Sequence, residues 1–254
     1  MSCILELKDI GMNFHDTIGE TIAIDSISFC VEEGELVSIV GPSGCGKSTL
    51  LSIISGLMTP SRGQCFIEGK PAGAKARQSV GYMLQNDHLF EWRTIIKNAL
   101  LGLEIRDELN ETSRGACYDL LVRYGLAEFA NHRPSQLSGG MRQRVALIRT
   151  LATNPSILLL DEPFSALDFQ TRLRVTDDIA TIIRKEGKTA VLVTHDISEA
   201  VSVSDRVIVL SNRPSRTVSV HKVGLSDANT PPIKAREHPD FRNHFNSIWK
   251  ELGW

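Results

Sequence analysis

The sequence of 254 residues has no long hydrophobic run, because polar or charged residues interrupt every apolar stretch before the roughly 18 residues that a membrane-spanning helix needs. Its opening residues, Met1 to Asp9, also lack the apolar core that follows a basic flank in a signal peptide. We therefore expect neither a membrane-spanning segment nor a secretory leader. Any role at a membrane then has to depend on a partner.

Cysteine is scarce and widely dispersed. The chain has five, Cys3, Cys30, Cys45, Cys65 and Cys117, and no two of them form a C-x-x-C pair. An odd, dispersed set without a secretory signal is typical of a cytoplasmic protein. We expect reduced thiols.

An excess of either charge is absent as well. Lys plus Arg number 28 and Asp plus Glu number 30, and no run of five or six like charges occurs. Because a nucleic-acid binder needs a basic surface, we expect no nucleic acid among the partners. Hydrophobic residues make up 42% of the chain, which is enough for an ordinary core. The length fits one large α/β domain with an insertion, or two small domains.

Two kinds of strand pattern are present. Residues 4–8 and 21–31 alternate between apolar and polar side chains, which predicts half-buried, antiparallel strands. Four other runs are almost wholly apolar, as in strands buried on both faces: residues 36–40, 157–160, 190–193 and 207–210. Helical patterns separate these runs, so the sequence predicts a mostly parallel sheet with flanking helices.

The middle and the end of the chain follow a helical pattern. Residues 87–136 show no buried strand, which predicts an inserted α-helical subdomain. After residue 212 several prolines precede Phe241, Phe245, Ile248 and Trp249 at helical spacing; packing of this helix against the body is favoured over binding of a partner. We divide the chain into a core formed by residues 1–86 and 156–211, a helical subdomain at 87–155 and a tail at 212–254.

A glycine-rich segment directly follows the apolar run 36–40. It consists of Gly41, Pro42, Ser43, Gly44, Cys45, Gly46, Lys47, Ser48 and Thr49. Glycines let the backbone N–H groups point at phosphate oxygens, and a helix opening at Lys47 adds its positive end. Lys47 can reach the β- and γ-phosphates, and Ser48 is placed to coordinate Mg²⁺. A plain glycine-rich turn is the alternative, but the full G-x-x-x-x-G-K-[ST] pattern between a strand and a helix predicts binding of a nucleoside triphosphate.

Two carboxylates, Asp161 and Glu162, end the apolar run 157–160. The carboxyl ends of buried parallel strands form the sheet edge at which ligands bind. We expect Asp161 to hold Mg²⁺ directly or through a water, and Glu162 to act as general base toward the attacking water. Carboxylates at a strand end often only cap a loop, but a phosphate loop in the same chain favours the catalytic interpretation.

A second anion-binding helix start is predicted at residues 137–144, Leu-Ser-Gly-Gly-Met-Arg-Gln-Arg. Ser138 suits an N-cap, and Gly139 and Gly140 expose backbone N–H groups. Alone, the segment could be a simple capped helix. With the strand-end carboxylates just downstream, the chain resembles the ATP-binding cassette ATPases, whose signature is Leu-Ser-Gly-Gly-Gln. Met141 stands where that family has glutamine, so we expect fewer contacts at the edge of the site rather than lost function.

The resemblance extends to about residue 210 and implies an α/β P-loop NTPase core with a mostly parallel sheet, an antiparallel β subdomain and an inserted α-helical subdomain. Phe14 matches the aromatic that stacks on adenine, and Gln85 the glutamine that touches Mg²⁺ and the attacking water. Asp168 belongs to the matching loop that crosses to the opposing subunit, and His195 matches the histidine at the γ-phosphate. The family likeness also implies that two copies face each other head to tail. ATP and Mg²⁺ in one are then covered by residues 138–140 of the other.

The segment from Gln85 to Thr94 is similar to an importer pattern in which Leu-x-Pro-Trp follows the glutamine, although Glu91 stands where proline is commoner. Phe90 and Trp92 would then help line the groove for a cytoplasmic helix of a membrane subunit. Residues 210–214 and the aromatic terminal helix resemble the nitrate, sulfonate and taurine importer group. The implied partners are transmembrane permease subunits and, indirectly, a solute-binding protein. The implied location is peripheral, on the cytoplasmic face of the inner membrane.

The sequence is also compatible with other functions. The chain could be the ATPase subunit of another ABC system, either an exporter or a non-transport protein of DNA repair or translation. Such non-transport proteins usually carry long coiled coils or two cassettes, and neither is seen here. A kinase or GTPase is a further class, but no Asn-Lys-x-Asp guanine-reading motif occurs. That class also gives no role to residues 138–140 or to His195.

Overall fold

The computed structural model describes residues 3–16, 19–73, 76–227 and 230–253. Met1, Ser2 and Trp254, which begin and end the predicted segments, lie outside the described residues. The strands are β1 (Cys3–Asp16), β2 (Gly19–Glu32), β3 (Leu36–Val40), β4 (Arg62–Ile67), β5 (Lys70–Pro71), β6 (Val80–Met83), β7 (Ile157–Asp161), β8 (Thr189–Thr194), β9 (Arg206–Leu210) and β10 (Ser215–Lys222). The α-helices are α1 (Lys47–Ile54), α2 (Ile95–Ala99), α3 (Leu101–Ile105), α4 (Glu111–Arg123), α5 (Gly139–Leu151), α6 (Phe169–Lys185), α7 (Ile197–Val203), α8 (Pro232–Ala235) and α9 (Phe241–Leu252). Three short 3-10 turns complete these elements, at Ala76–Ser79, Ala127–Phe129 and Pro134–Gln136.

In the described residues the strands form one sheet in the order β5-β4-β1-β2-β10-β9-β3-β8-β7-β6. The five strands from β9 to β6 run parallel, and β1, β2, β4 and β5 pair antiparallel. As predicted, the alternating runs form antiparallel strands and the apolar runs form parallel strands. The strand β1, at 14 residues, is much longer than the pattern indicated, and β2, also 14 residues, is slightly longer.

The parallel strands are buried on both faces, which explains their unbroken apolar sequences. On one face Ile39, Leu159 and Val191 pack with α1 and the antiparallel strands. On the other face Leu158 and Leu192 pack with α5 and α6. The sheet thus holds the ends of β3, β7 and β8 side by side at one edge, because β3 pairs with β8 and β8 with β7.

The fully described stretch from 84 to 156 contains no strand. Its helices bury an apolar cluster of their own, which includes Ile95, Leu121, Leu126 and Val145. The side chains of Leu120 and Tyr124 pack against both this cluster and the core beside α6. The division of the chain into core, subdomain and tail stays a prediction.

The tail holds two elements besides the predicted terminal helix, the strand β10 and the short helix α8. Residues after 212 were expected to hold only a terminal helix, but β10 lies between β2 and β9. Its half-buried face carries polar side chains: His221 Nε2 lies 2.9 Å from Glu251 Oε2 of α9, and Ser219 donates to the same carboxylate. Because its valines face solvent, β10 has the reverse of the usual strand pattern. The helix α9 was predicted correctly, and its Ile248 is fully buried in a cluster with α7.

One expectation about the cysteines was wrong. Antiparallel pairing of β1 with β2 brings Cys3 beside Cys30, with a Cα–Cα distance of 5.9 Å, and the two form a disulfide. The pair is 27 residues apart in sequence, so dispersal along the chain did not reveal it. Cys45, Cys65 and Cys117 are free and buried, as expected of reduced thiols.

Candidate active site

The phosphate loop joins the end of β3 to the start of α1. Gly44 and Gly46 have φ values of 76° and 104°, which side chains other than glycine rarely adopt. Gly46 caps α1 without a side-chain hydrogen bond, so the first N–H groups of that helix remain available to an anion. A Cβ on Gly41 would lie only 2.9 Å from Cys45 Sγ, which explains the glycine there.

Lys47 is 6% exposed and folds back over this loop. Its Nζ donates to the carbonyl oxygens of Gly41 and Pro42 at 2.8 and 3.0 Å. Phosphate oxygens are stronger acceptors than carbonyls because they carry charge. The loop borders a cavity of about 380 Å³, which is lined by Ser43, Gly44, Gly46, Lys47, Ser48, Thr49, Gln85, Asp161 and Glu162. Most of the predicted phosphate and Mg²⁺ contacts are therefore brought together.

Asp161 lies at the floor of this cavity. Its Oδ1 accepts from Ser48 Oγ at 3.1 Å and its Oδ2 from Tyr82 Oη at 3.2 Å. Burial raises the pKa of Asp161, although the hydrogen bonds from Ser48 and Tyr82 oppose that rise. The Ser48 hydroxyl and the Asp161 carboxylate, 3.1 Å apart, are hard oxygen ligands of the kind that Mg²⁺ prefers.

Tyr82 was missed by the sequence analysis. It lies on β6, which pairs in parallel with β7, and Tyr82 is opposite Leu159. Burial, followed by the charge of Asp161, raises the pKa of the Tyr82 hydroxyl, so it stays a neutral donor. The sequence does show a tyrosine near the end of a strand, three residues before Gln85. It does not show that this strand pairs with the strand that carries Asp161.

Glu162 and His195 come together because β7 and β8 are parallel neighbours. His195 Nδ1 lies 3.0 Å from Glu162 Oε2, and Glu162 N donates to Val193 O at 2.9 Å. Glu162 has a φ of 43°, an uncommon backbone conformation for a residue other than glycine. Such strain is typical of functional sites, where it aims a side chain that an ordinary strand end would turn away.

Gln85 connects the cavity to the loop that precedes α6. Its Nε2 donates to Ser165 Oγ at 3.1 Å, and Ser165 Oγ donates to Glu162 O at 3.0 Å. Asp168, in the same loop, caps α6 by accepting from Thr171 N at 3.1 Å. Hydrogen bonds from the side chain of Thr171 and then from its backbone N hold the pKa of Asp168 below its usual value.

Phe14 and Cys45 are among the predicted nucleotide contacts that do not line the phosphate-loop cavity. Phe14 lies on β1 opposite Thr21 and is 37% exposed, so its ring is accessible for stacking. Cys45 is buried beneath the loop, and burial raises the pKa of its thiol. Its sulfur is therefore a buried group that packs beneath the loop.

The second anion-binding start has the predicted cap. Ser138 Oγ accepts from Met141 N at 3.4 Å. A Cβ on Gly140 would lie 2.7 Å from Val175 Cγ2, so this glycine also permits close packing of α5 on α6. Residues 138–140 border a separate cavity of about 740 Å³, together with 166–168 and part of α6. That cavity shares no lining residue with the phosphate-loop cavity.

A family model described as ABC transporter matches residues 24–165, more than half of the chain. The chain belongs to the ABC transporter family. An uncharacterized ABC transporter ATP-binding protein of Bacillus subtilis, YtlC, is 50% identical over 233 residues, or 92% of this chain and 89% of its own length. The taurine import ATP-binding protein TauB of Yersinia pestis is 43% identical over 222 residues, or 86% and 87%.

A solved structure has the same fold. It is the dimeric post-hydrolysis state of the ATP-binding cassette MJ0796 bound to ADP and Pi. Its TM-score is 0.71 at 32% identity, and the match covers 86% of this chain and 98% of that one. The predicted family, α/β P-loop fold and ATPase class are confirmed. Among the described residues of this ABC ATPase, none of the helices has the length and hydropathy of a membrane-spanning segment.

We expect the Asp161→Asn variant to be more stable than the wild type without nucleotide at pH 7. Because burial raises the pKa of Asp161 in the folded state, the ionised carboxyl destabilises the fold as pH rises through and above its ordinary value. Asparagine removes that charge, and we expect a gain of about 2–4 °C in Tm. The gain should shrink as the pH falls toward 4, because the wild-type carboxyl then takes up a proton increasingly and loses its buried charge. Thermal melts with EDTA at both pH values measure this.

The matched control is Asp119→Asn, which changes an exposed aspartate on α4 and should leave Tm unaltered. A lower Tm for Asp161→Asn than for the wild type at pH 7 would contradict the assigned cost of the buried charge.

Proposed function

We propose that this chain is the ATP-hydrolysing subunit of a membrane importer for small solutes of the nitrate, sulfonate and taurine kind. The observation that carries the proposal is the separation of the two anion-binding helix starts into cavities without a common residue. One chain thus offers two incomplete half-sites. Two copies, placed head to tail, complete two sites.

The chemistry follows from the residues around the phosphate loop. Lys47 exchanges its carbonyl acceptors for β- and γ-phosphate oxygens, and the start of α1 supplies N–H donors. Ser48 and Asp161, with Gln85 nearby, would hold Mg²⁺, which would neutralise negative charge that develops on the phosphates.

Glu162 accepts a proton from the attacking water, and the oxygen of that water forms a bond to the γ-phosphorus. The bond between the γ-phosphorus and the β-phosphate oxygen breaks at the same time, and ADP leaves. His195 holds Glu162 in place and faces the γ-phosphate. Across the dimer, residues 138–140 contact the same phosphate. Phe14 stacks on the adenine ring, and Asp168 lies at the contact with the opposing copy.

Coupling to a membrane is proposed through the segment that follows Gln85. Phe90 and Trp92 stack with ring centroids 4.7 Å apart, and Trp92 is 71% exposed. A large exposed aromatic surface of this kind suits an apolar helix of a permease subunit. The 43% identity to a taurine import protein supports the importer subgroup. A solute-binding protein is then an indirect partner, and the location is the cytoplasmic face of the inner membrane.

The segment boundaries are part of the same proposal. Residues 1–86 and 156–211 form the nucleotide-binding core, the first part with the antiparallel strands and phosphate loop. Residues 87–155 form the helical subdomain, which carries both the aromatic stack and residues 138–140. Residues 212–254 form the tail.

Purification of the tagged full chain from native membranes in mild detergent tests the importer assignment. We expect polytopic permease subunits to co-purify, and the Trp92→Ala variant to lose them. Trp249→Ala, which removes a 42% exposed tryptophan on α9, is the matched control and should retain them. Equal retention by both variants, or recovery of the chain without membrane subunits, would contradict the proposal.

A further inference from the structure

Arg142 connects the start of α5 to the segment after Gln85. Its backbone N donates to Ser138 O at 3.0 Å, so it belongs to the first turn of the helix. Its guanidinium contacts Asp87 twice, with Nε at 2.8 Å from Oδ2 and Nη2 at 3.1 Å from Oδ1. Nη1 lies 2.8 Å from Glu91 Oε1. One side chain therefore holds two carboxylates of the loop.

The two ion pairs differ in exposure. The side chains of Arg142 and Asp87 are 25% and 18% exposed, whereas that of Glu91 is 51% exposed. Burial alone would raise the pKa of Asp87. The hydrogen bonds from Arg142 and from Leu89 N, together with the charges of Arg142 and Arg149, outweigh burial and hold that pKa below its usual value. Hydrogen bonding to Asp87 raises the pKa of Arg142. The pair with Asp87 is thus the inner, bidentate contact, and Glu91 adds an outer one.

Other contacts make the loop itself rigid. Arg149 of α5 donates to the carbonyl oxygens of Asp87 and His88 at 2.7 and 2.8 Å. The fully buried Asn98 of α2 accepts from Phe90 N at 2.7 Å and donates to Phe90 O at 3.1 Å. The backbone from 87 to 90 is therefore attached to α5 on one side and to α2 on the other.

Arg142 differs from these two residues in what it joins. Arg149 and Asn98 hold the loop backbone, but Arg142 alone of the three lies in the first turn of α5, next to the cap at Ser138. The loop that it holds begins two residues after Gln85, which lines the phosphate-loop cavity, and ends at the exposed stack of Phe90 and Trp92.

We propose that Arg142 is a positioning residue that makes residues 87–91 and the start of α5 move as one body. A displacement of the Phe90–Trp92 stack is then carried directly to residues 138–140, and closure of residues 138–140 on ATP is carried back to the stack. Glu91 strengthens this link from the solvent side. The inference rests on the proposed function, because it assumes that residues 138–140 act on ATP in a dimer.

The test uses Arg142→Gln in the full chain, with Trp249→Phe and Trp254→Phe so that Trp92 is the remaining tryptophan. Three quantities are measured: ATP affinity, the rate constant of hydrolysis, and the change in Trp92 fluorescence when ATP is added. We expect affinity within twofold of the wild type, a turnover lower by about 2- to 30-fold, and loss of most of the ATP-induced Trp92 change. A residue with only a structural role would lower Tm without removing that fluorescence response.

Arg114→Gln, which removes an exposed arginine of α4, is the matched control and should behave as the wild type. Arg142→Lys keeps the charge but cannot hold both carboxylates in the same way, so it should restore part of the response. If Arg142→Gln does not fold, Glu91→Gln serves instead and should give a smaller loss of the same kind.

The proposal is overturned if Arg142→Gln keeps the turnover and the Trp92 response of the Arg114→Gln control. It is also overturned if ATP-driven dimers of the unaltered Arg142 protein show no Trp92 change. A wild-type chain that neither hydrolyses ATP nor dimerises with it would instead remove the proposed function, and the inference with it.

Discussion

Replacing Glu162 with glutamine is expected to lower the turnover of ATP by a factor of about 10² to 10⁴ and to leave ATP affinity within about twofold. The carboxylate lies at the cavity beside Asp161 and is held by His195 at 3.0 Å. Glutamine has nearly the same shape but cannot accept the proton of the attacking water. Binding rests on the phosphate loop, which the substitution does not touch.

The same variant should trap a dimer. Because ATP is expected to join two copies and hydrolysis to release them, a chain that binds without hydrolysing should elute as a dimer when ATP is present. Phosphate release, binding of a fluorescent ATP analogue and light scattering after gel filtration measure the three properties. Glu33→Gln, in the exposed turn between β2 and β3, is the control and should hydrolyse normally. Normal turnover by Glu162→Gln would exclude Glu162 as the base.

The backbone conformation of Glu162 fixes the direction of its side chain. A φ of 43° turns the side chain toward His195 rather than along the strand. Pairing of Asp161 with Val193, and the hydrogen bond from Glu162 N to Val193 O, hold that conformation. Pairing within the sheet therefore holds this strained backbone without a ligand, so the proposed base is in position before ATP binds.

Much of this site could be predicted from short stretches of sequence. The phosphate loop, the carboxylates after β7 and the cap of α5 depend on residues within a few positions of one another, and local backbone rules decide their form. The proximity of His195 to Glu162 could also be expected, because both follow buried strands whose carboxyl ends share an edge. These predictions require that the strands form a parallel sheet, but they do not require the residue-by-residue register between the strands.

Other features depend on contacts between distant segments. Tyr82 reaches Asp161 only because β6 pairs with β7 in one register, and Arg142 meets Asp87 across 55 residues. The disulfide between Cys3 and Cys30 likewise follows from the register of two long strands. No local pattern encodes such pairings, and β10 was hidden because its exposed face carries the valines.

Two variants that are each inactive should restore hydrolysis when mixed. Lys47→Ala removes the phosphate-loop cation and should lose ATP binding by at least about tenfold. Ser138→Arg places a bulky cation at an exposed position of the α5 start, so it should spare binding to a single chain but block closure over the partner's phosphate. In a mixed dimer, ATP on the Ser138→Arg chain faces an unaltered Ser138 on the Lys47→Ala chain. That site has both of its halves.

Random pairing makes half of the dimers mixed, each with one complete site of two, so about a quarter of wild-type turnover is expected if the sites act independently. Two different tags on the variants verify that mixed dimers form. Lys47→Ala mixed with a Lys47→Ala/Ser138→Arg double variant is the control and should stay inactive, because neither chain has a working phosphate loop. Ser138→Ala loses the helix cap, which costs only about 1 kcal/mol of stability, but adds no bulk or charge. It therefore separates the effect of losing the cap from the effect of introducing arginine. Verified mixed dimers that remain inactive, or a Ser138→Arg chain that hydrolyses ATP by itself, would mean that residues 138–140 do not complete the site of an opposing copy.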